Sequence, residues 1–395
     1  MKRLASIAAW AAAIALGVAG VASAQAVTVF RSGRVFHVQA CAAGIAAGTA
    51  RCHAHIVTDS RGNHIVWAAT RNTQPSGYGP STLRSAYKVS ATGSSSTKIA
   101  IVDAYGYANA EADLGVYRST FGLPACTTAN GCFAKYNESG QQTNYPKTNL
   151  GWSEETALDL DMASAMCPNC KIILVEANSS NLADLAAAVN TAARLGAHVI
   201  SNSYGGGESG SQAYESAYNH PGVAITVSSG DSGYGVQFPA SSPHVIAAGG
   251  TSLYAASNAR GWTEAAWSGA GSGCSRIYGK PTWQSDALCT MRMEADVSAV
   301  ADPNTGVAVY GPIRITTSGW QVFGGTSVAA PLIGGIYAAN GGMVTYGSNP
   351  YQNLSWLFDV VSGSNGSCGS TYFCTAGSGY DGPTGLGTPN GVAAF

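Results

Sequence analysis

Lys171-Ile172-Ile173-Leu174-Val175-Glu176-Ala177, followed by Leu182 to Leu195 and then by Ala197-His198-Val199-Ile200-Ser201-Asn202-Ser203, is the stretch that decides the fold. The two short apolar runs read as buried strands and the longer piece between them as a helix. The alternation continues in both directions. Upstream, Lys98-Ile99-Ala100-Ile101-Val102-Asp103 reads as a buried strand, Ala110 to Phe121 as a helix, and Trp152 to Met166 as a second helix. Downstream, Tyr214 to Tyr218 reads as a short helix ahead of the strand Gly222 to Ser229. Strand, helix, strand, helix predicts an α/β fold with a mostly parallel sheet, helices on both faces, and a ligand site at the carboxyl ends of the strands.

The first residues are read as a targeting segment. Lys2 and Arg3 precede an apolar, small-residue stretch from Leu4 to Ala22, and Ala22-Ser23-Ala24 offers the small-x-small pattern of a cleavage site. Residues 1–24 are therefore expected to be a signal peptide, and the product secreted to an extracellular or periplasmic location. No other apolar run approaches the roughly 18 residues of a membrane span. Residues 25–74 end in the turn-rich Thr73-Gln74-Pro75-Ser76-Gly77 and are expected to be a short pro-segment or N-terminal appendage, leaving 75–395 as the main domain.

Hydrophobic residues make up 46% of the chain and charged residues 10%, with a formal net charge of −1. That balance gives no basic excess to neutralise phosphates, so neither nucleic acid nor an anionic membrane is an expected partner. Among the fifty glycines no G-x-x-x-x-G-K-S/T occurs, which argues against nucleotide binding. Ten cysteines in an exported chain imply disulfides. They fall into neighbours, Cys41 with Cys52, Cys126 with Cys132, Cys167 with Cys170, Cys274 with Cys289 and Cys368 with Cys374, and local pairing is the hypothesis. Cys52-His53-Ala54-His55 has a metal-binding look, but two His and one Cys are a weak signal, and a structural role is preferred.

Chemistry enters with Gly324-Gly325-Thr326-Ser327-Val328-Ala329-Ala330-Pro331, which runs into an apolar helix. A glycine turn there delivers a hydroxyl to a helix N-terminus, where the dipole favours developing negative charge. The octet resembles the nucleophile motif shared by subtilisins and sedolisins. Subtilisins carry a base His in a His-Gly-Thr context, and none of the seven His has it. Instead, Glu155-Thr156-Ala157-Leu158-Asp159 sets two carboxylates four residues apart on one helix face. This segment resembles the sedolisin helix that bears the catalytic Glu and Asp. Glu154 and Asp161 lie in the same helix and can form a separate, outward-facing set.

Ser228-Ser229-Gly230-Asp231-Ser232-Gly233 resembles the sedolisin motif whose Asp replaces the subtilisin oxyanion-hole Asn. An Asp can serve there only when protonated. The matches extend through Phe238-Pro239, Ala248-Gly249-Gly250-Thr251-Ser252 and Asp296-Val297-Ser298-Ala299, and together span about Gly79 to Gly391. The resemblance implies a subtilisin-like α/β fold with Ser327 as nucleophile, Glu155 as general base, Asp159 as its orienting partner and Asp231 in the oxyanion hole. Phe358-Asp359-Val360 and Ala376-Gly377-Ser378-Gly379-Tyr380-Asp381 resemble the family's calcium site, which implies Ca2+ held by the Asp359 and Asp381 carboxylates with carbonyls of Val360, Gly377 and Gly379. Two departures stand out: sedolisins carry a longer pro-domain, and Asp103 sits where subtilisins place their triad Asp, without an assigned role.

These readings imply a secreted serine-carboxyl endopeptidase, expected to be monomeric, that cuts extended polypeptides through an acyl-enzyme at roughly pH 3 to 5.5. The alternatives are an inactive relative that binds peptides in the same cleft and a calcium-dependent surface-binding protein.

Overall fold

The computed structural model describes residues 27–41, 46–67, 75–342, 344, 346–369 and 371–395. The expected signal peptide lies outside the described residues, as do residues 68–74. Four short strands come first: β1 (Phe30–Ser32), β2 (Val35–Gln39), β3 (Arg51–Cys52) and β4 (His55–Thr58). Helix α1 (Pro80–Ala86), with proline at its first position, precedes β5 (Lys98–Ala104), α2 (Ala110–Thr120), β6 (Phe133–Asn137), α3 (Leu150–Met166), β7 (Lys171–Ala177), α4 (Leu182–Arg194) and β8 (Val199–Asn202). Then follow β9 (Tyr204–Gly205), a 3-10 turn at Glu215–Tyr218, β10 (Ala224–Ser228), β11 (Ile246–Ala255), β12 (Trp262–Ala266), β13 (Gly273–Gly279), β14 (Met291–Glu294), β15 (Val297–Val300), β16 (Val307–Arg314), β17 (Thr317–Gly324) and α5 (Thr326–Ala339).

The main sheet has the order β12-β11-β10-β8-β5-β7-β6, with β15 also paired to β11. Every pairing in it is parallel except β11 with β12. Its central strands are continuous apolar runs because both faces are covered. Helix α4 covers one face over β5, β7 and β8, and α5 covers the other over β8, β10, β11 and β15. Beyond α3 and α5 lies a second sheet of order β1-β2-β4-β17-β16, so the N-terminal strands share a sheet with the β-hairpin that leads into Ser327.

That layering fixes the surroundings of α3. It packs against α1, α2, α5, β5 and β16, and every residue from Trp152 to Met166 is buried. Glu154 and Asp161 therefore do not form an outward-facing set. Helix α3 has no solvated face: the Tyr310 N–H donates to Asp161 Oδ2 at 3.0 Å, and Glu154 Oε1 lies 3.6 Å from His64 Nδ1. Burial raises both carboxyls well above their ordinary range.

All five neighbouring cysteine pairs are disulfides. Near the C-terminus β18 (Leu357–Phe358) pairs antiparallel with β19 (Thr388–Pro389), which brings Asp359 beside the glycine-rich loops of 376–387.

Candidate active site

Three strand ends and one helix start converge. Asp103 lies near the end of β5, Ser203 follows β8, Asp231 follows β10, and Ser327 is the second residue of α5. The sheet presents its carboxyl ends here, where loops are free to diverge. Gly325, at φ +95°, makes the turn that a residue with a Cβ would resist.

Ser327 Oγ donates to the Ser203 carbonyl at 3.3 Å, and its hydroxyl lies close enough to the Glu155 carboxyl to favour the charged form. Asp159 lies one turn along α3 from Glu155, and the Ser203 hydroxyl donates to Asp159 Oδ1 at 2.8 Å, while Glu155 Oε1 and Asp159 Oδ2 are left without a hydrogen-bond partner among the described residues. Burial first, then the charge of Asp103, pushes Glu155 and Asp159 well above the ordinary carboxylate range. Asp103 is itself raised to about 7 by burial. Carboxyls crowded like this cannot all ionise, and protons are shared among them.

Opposite this group, Asp231 Oδ1 accepts the Thr326 N–H and the Thr326 hydroxyl, each at 2.8 Å. Its Oδ2 accepts no hydrogen bond among the described residues and stands 3.5 Å from His55 Nε2. Burial raises Asp231 to about 7, so below that pH the free oxygen carries a proton and becomes a donor aimed past Gly325. The arrangement pairs a hydroxyl with a proton acceptor and sets an acid donor across from them, which suits acyl transfer.

Residues 148–340 match the Peptidase_S8 model of the subtilase family. Kumamolisin from Bacillus sp. (strain MN-32) is 31% identical over 368 residues, covering 82% of this chain and 64% of kumamolisin. Sedolisin from Pseudomonas sp. (strain 101) is 34% identical over 202 residues, covering 42% of this chain and 33% of sedolisin. The solved structure of Pseudomonas sedolisin, a serine-carboxyl proteinase complexed with pseudo-iodotyrostatin, superposes with a TM-score of 0.68 at 27% identity, over 80% of this chain and 96% of that one. Together these matches support the sedolisin family for this chain. It spans less than two thirds of the length of the relatives above as full-length sequences. Its fold is the subtilisin-like one, with a mostly parallel central sheet.

This sedolisin relative places Glu155, Asp159, Asp231 and Ser327 in one cluster. Ser203 and Thr326 hold Asp159 and Asp231, partners 44 and 95 residues away along the chain, so sequence reasoning misses these roles and only contact shows them. The N-terminal segment also reaches the cluster, since the Ala54 N–H donates to Glu155 Oε2 at 2.9 Å. Cys52 is in a disulfide, and His53 and His55 make contacts within the cleft rather than a cluster with it. At the far end of the domain, Asp359 Oδ2 accepts the Gly379 N–H at 2.9 Å, and Asp381 accepts the N–H groups of Gly377 and Thr384. Burial raises Asp381 to about 7, and the neighbouring charge of Asp359 adds to this. No helix among the described residues is long and apolar enough to cross a membrane.

Proposed function

We propose that this chain is a secreted serine-carboxyl endopeptidase that hydrolyses extended polypeptides in acid. The reading is carried by one observation: the buried Glu155 and Asp159 carboxyls gather beside Ser327, with Ser203 touching both Asp159 and Ser327, across from the unpartnered Oδ2 of a buried Asp231. Ser327 Oγ attacks the substrate carbonyl carbon while Glu155 takes its proton, and Asp159 orients Glu155. The protonated Asp231 donates to the oxyanion. Glu155 then returns the proton to the departing amine, and water releases the acyl group. A fluorophosphonate or peptide-aldehyde probe tests this. Labelling at Ser327, absent in Ser327→Ala, is expected; an unlabelled, inert protein that still binds peptides would favour the peptide-binding alternative.

Calcium belongs to the same reading. Asp359 and Asp381 repel one another, and Asp381 is buried, so a hard cation held by both carboxylates with the carbonyls of Val360, Gly377 and Gly379 would relieve the charge. Bound there, Ca2+ would brace the C-terminal loops and take no part in the reaction. Secretion rests on the Lys2-Arg3 start, the apolar run and Ala22-Ser23-Ala24. The product is expected to act as a monomer, with residues 25–74 serving as its pro-segment.

A further inference from the structure

The cleft beside Ser327 holds a stretch of the chain itself. Arg51 and Cys52 pair antiparallel with Gly205 and Tyr204, and the His53 N–H donates to the Ser203 carbonyl at 3.1 Å. On the other side the Ala50 N–H donates to the Ser180 carbonyl at 2.8 Å, and the Leu182 N–H to the Gly48 carbonyl at 2.9 Å. Residues 48–53 are thus the middle of three extended segments, read through backbone hydrogen bonds as a peptide is in strand addition.

The segment reaches the chemistry in register. A methyl group on Gly325 would lie 1.8 Å from the His53 carbonyl oxygen and 2.6 Å from Asp231 Oδ2, so that carbonyl and the acid donor meet over the same glycine. The next nitrogen, that of Ala54, is the one hydrogen-bonded to Glu155. The His53–Ala54 bond therefore has its carbonyl toward the oxyanion donor and its nitrogen on the group that would protonate it.

The His53 side chain fills a pocket of its own. Its Nδ1 is 2.6 Å from Ser228 Oγ and its Nε2 is 3.0 Å from Gln237 Oε1. Gly205 forms one wall, where a Cβ would come within 2.8 Å of the ring, and Gly230 lies against Gln237. Burial, with the charge of Arg51 nearby, lowers His53 to about 3, so the ring is neutral, with one nitrogen donating to Gln237 and the other accepting from Ser228.

We propose that this pocket selects the residue preceding the cut bond, that Ser228 and Gln237 set it for a neutral hydrogen-bonding side chain of imidazole size, and that His53–Ala54 is the first bond the chain cuts in itself. The proposal rests on Ser327 being a peptidase nucleophile. In the self-cut, Ser327 Oγ bonds to the His53 carbonyl carbon, its proton passes through Glu155 to the Ala54 nitrogen, and the C–N bond breaks. Water then hydrolyses the ester, leaving a His53 carboxyl group and a free Ser327. A site built to hydrogen-bond a side chain rejects an apolar one of the same size, because its own buried polar atoms are left unpaired.

The test uses the full chain brought from neutral to acid pH, with the earliest product sequenced. A new N-terminus at Ala54 is expected, at a rate about 10-fold or more lower in His53→Phe and largely restored in His53→Gln. In a peptide library, kcat/KM for His before the cut should exceed that for Phe or Leu by about 10-fold or more, and Ser228→Ala and Gln237→Leu should each narrow that gap. An earliest cut elsewhere, equal rates for His53→Phe, or a preference for apolar residues, in a chain that still labels at Ser327, would overturn this proposal and leave the peptidase reading standing. A chain that neither cuts nor labels would overturn both.

Discussion

Replacing Asp231 by Asn tests the proton on which the proposed oxyanion hole depends. An amide can still accept from Thr326 through its oxygen and donates from its nitrogen at every pH, where the carboxyl donates only below about 7. The carboxyl's folded value is raised from the ordinary 3.8, mainly by burial. Between these values the native state holds a proton that the unfolded chain has lost, so its contribution to stability is complete below 3.8 and disappears as pH rises through about 7. A span of roughly three pH units is worth about 4 kcal/mol. In a Ser327→Ala background, which prevents self-digestion, urea unfolding at pH 3.5 and pH 8 should show Asp231→Asn gaining about 4 kcal/mol on its parent between the two conditions. In the active chain, the fall of kcat toward alkaline pH should move upward in Asp231→Asn while the acid limb stays. A stability difference that is the same at both pH values would refute the argument, since Asp231 would then titrate in the folded chain as it does in the unfolded one.

Chelation should lower the melting temperature by several degrees if Asp359 and Asp381 share Ca2+, and Asp381→Ala should melt like the chelated chain with or without added calcium. Unchanged melting would remove the site. Ser327→Ala should leave residues 25–74 attached, as read by mass spectrometry; normal maturation would assign that cut to another protease. The N-terminal segment should loosen in acid. Burial holds His37 at about 4 and His53 at about 3, and holds His55 well below 6.5. Asp302 faces His37, Arg51 faces His53, and His37, Arg51 and His53 face His55, whose Nε2 is also 3.5 Å from Asp231 Oδ2. Once released these rings take protons below about 6.5, so the stability of the seated segment is complete above that value and is lost as pH falls through about 4. Hydrogen exchange in Ser327→Ala should show residues 46–58 losing about 10-fold or more of their protection between pH 7 and pH 4, after correction for intrinsic rates. Constant protection would exclude this effect.

Much of the fold was legible because the strands are continuous apolar runs. Lys171–Ala177 has the bounds read from the sequence, and α2, α3 and α4 differ from theirs by a residue or two at the ends. The disulfide pairs were legible because each closes a short loop. What could not be read was the environment of α3. Four acidic residues on one helix look like a solvated face, and only the second sheet packed over α3 shows that Glu154 and Asp161 are buried beside Glu155 and Asp159. The strands of residues 30–58 escaped for a similar reason. They are short, His-bearing and polar, and they are ordered by partners far along the chain, β17 for β4 and β9 for β3.

The Cys41–Cys52 disulfide has a kinetic consequence for whatever lies in the cleft. It closes an 11-residue separation with both sulfurs on the same side of the His53–Ala54 bond. A cut at that bond would not divide the crosslink, and the liberated strand would leave as a looped body still hooked to the β1–β2 hairpin. Such a body gains little freedom on departure, because the crosslink has already removed much of the disorder that release would bring. The nicked protein would then be a long-lived complex of an enzyme with its own first product, and a thiol reductant would shorten that lifetime without touching a catalytic group.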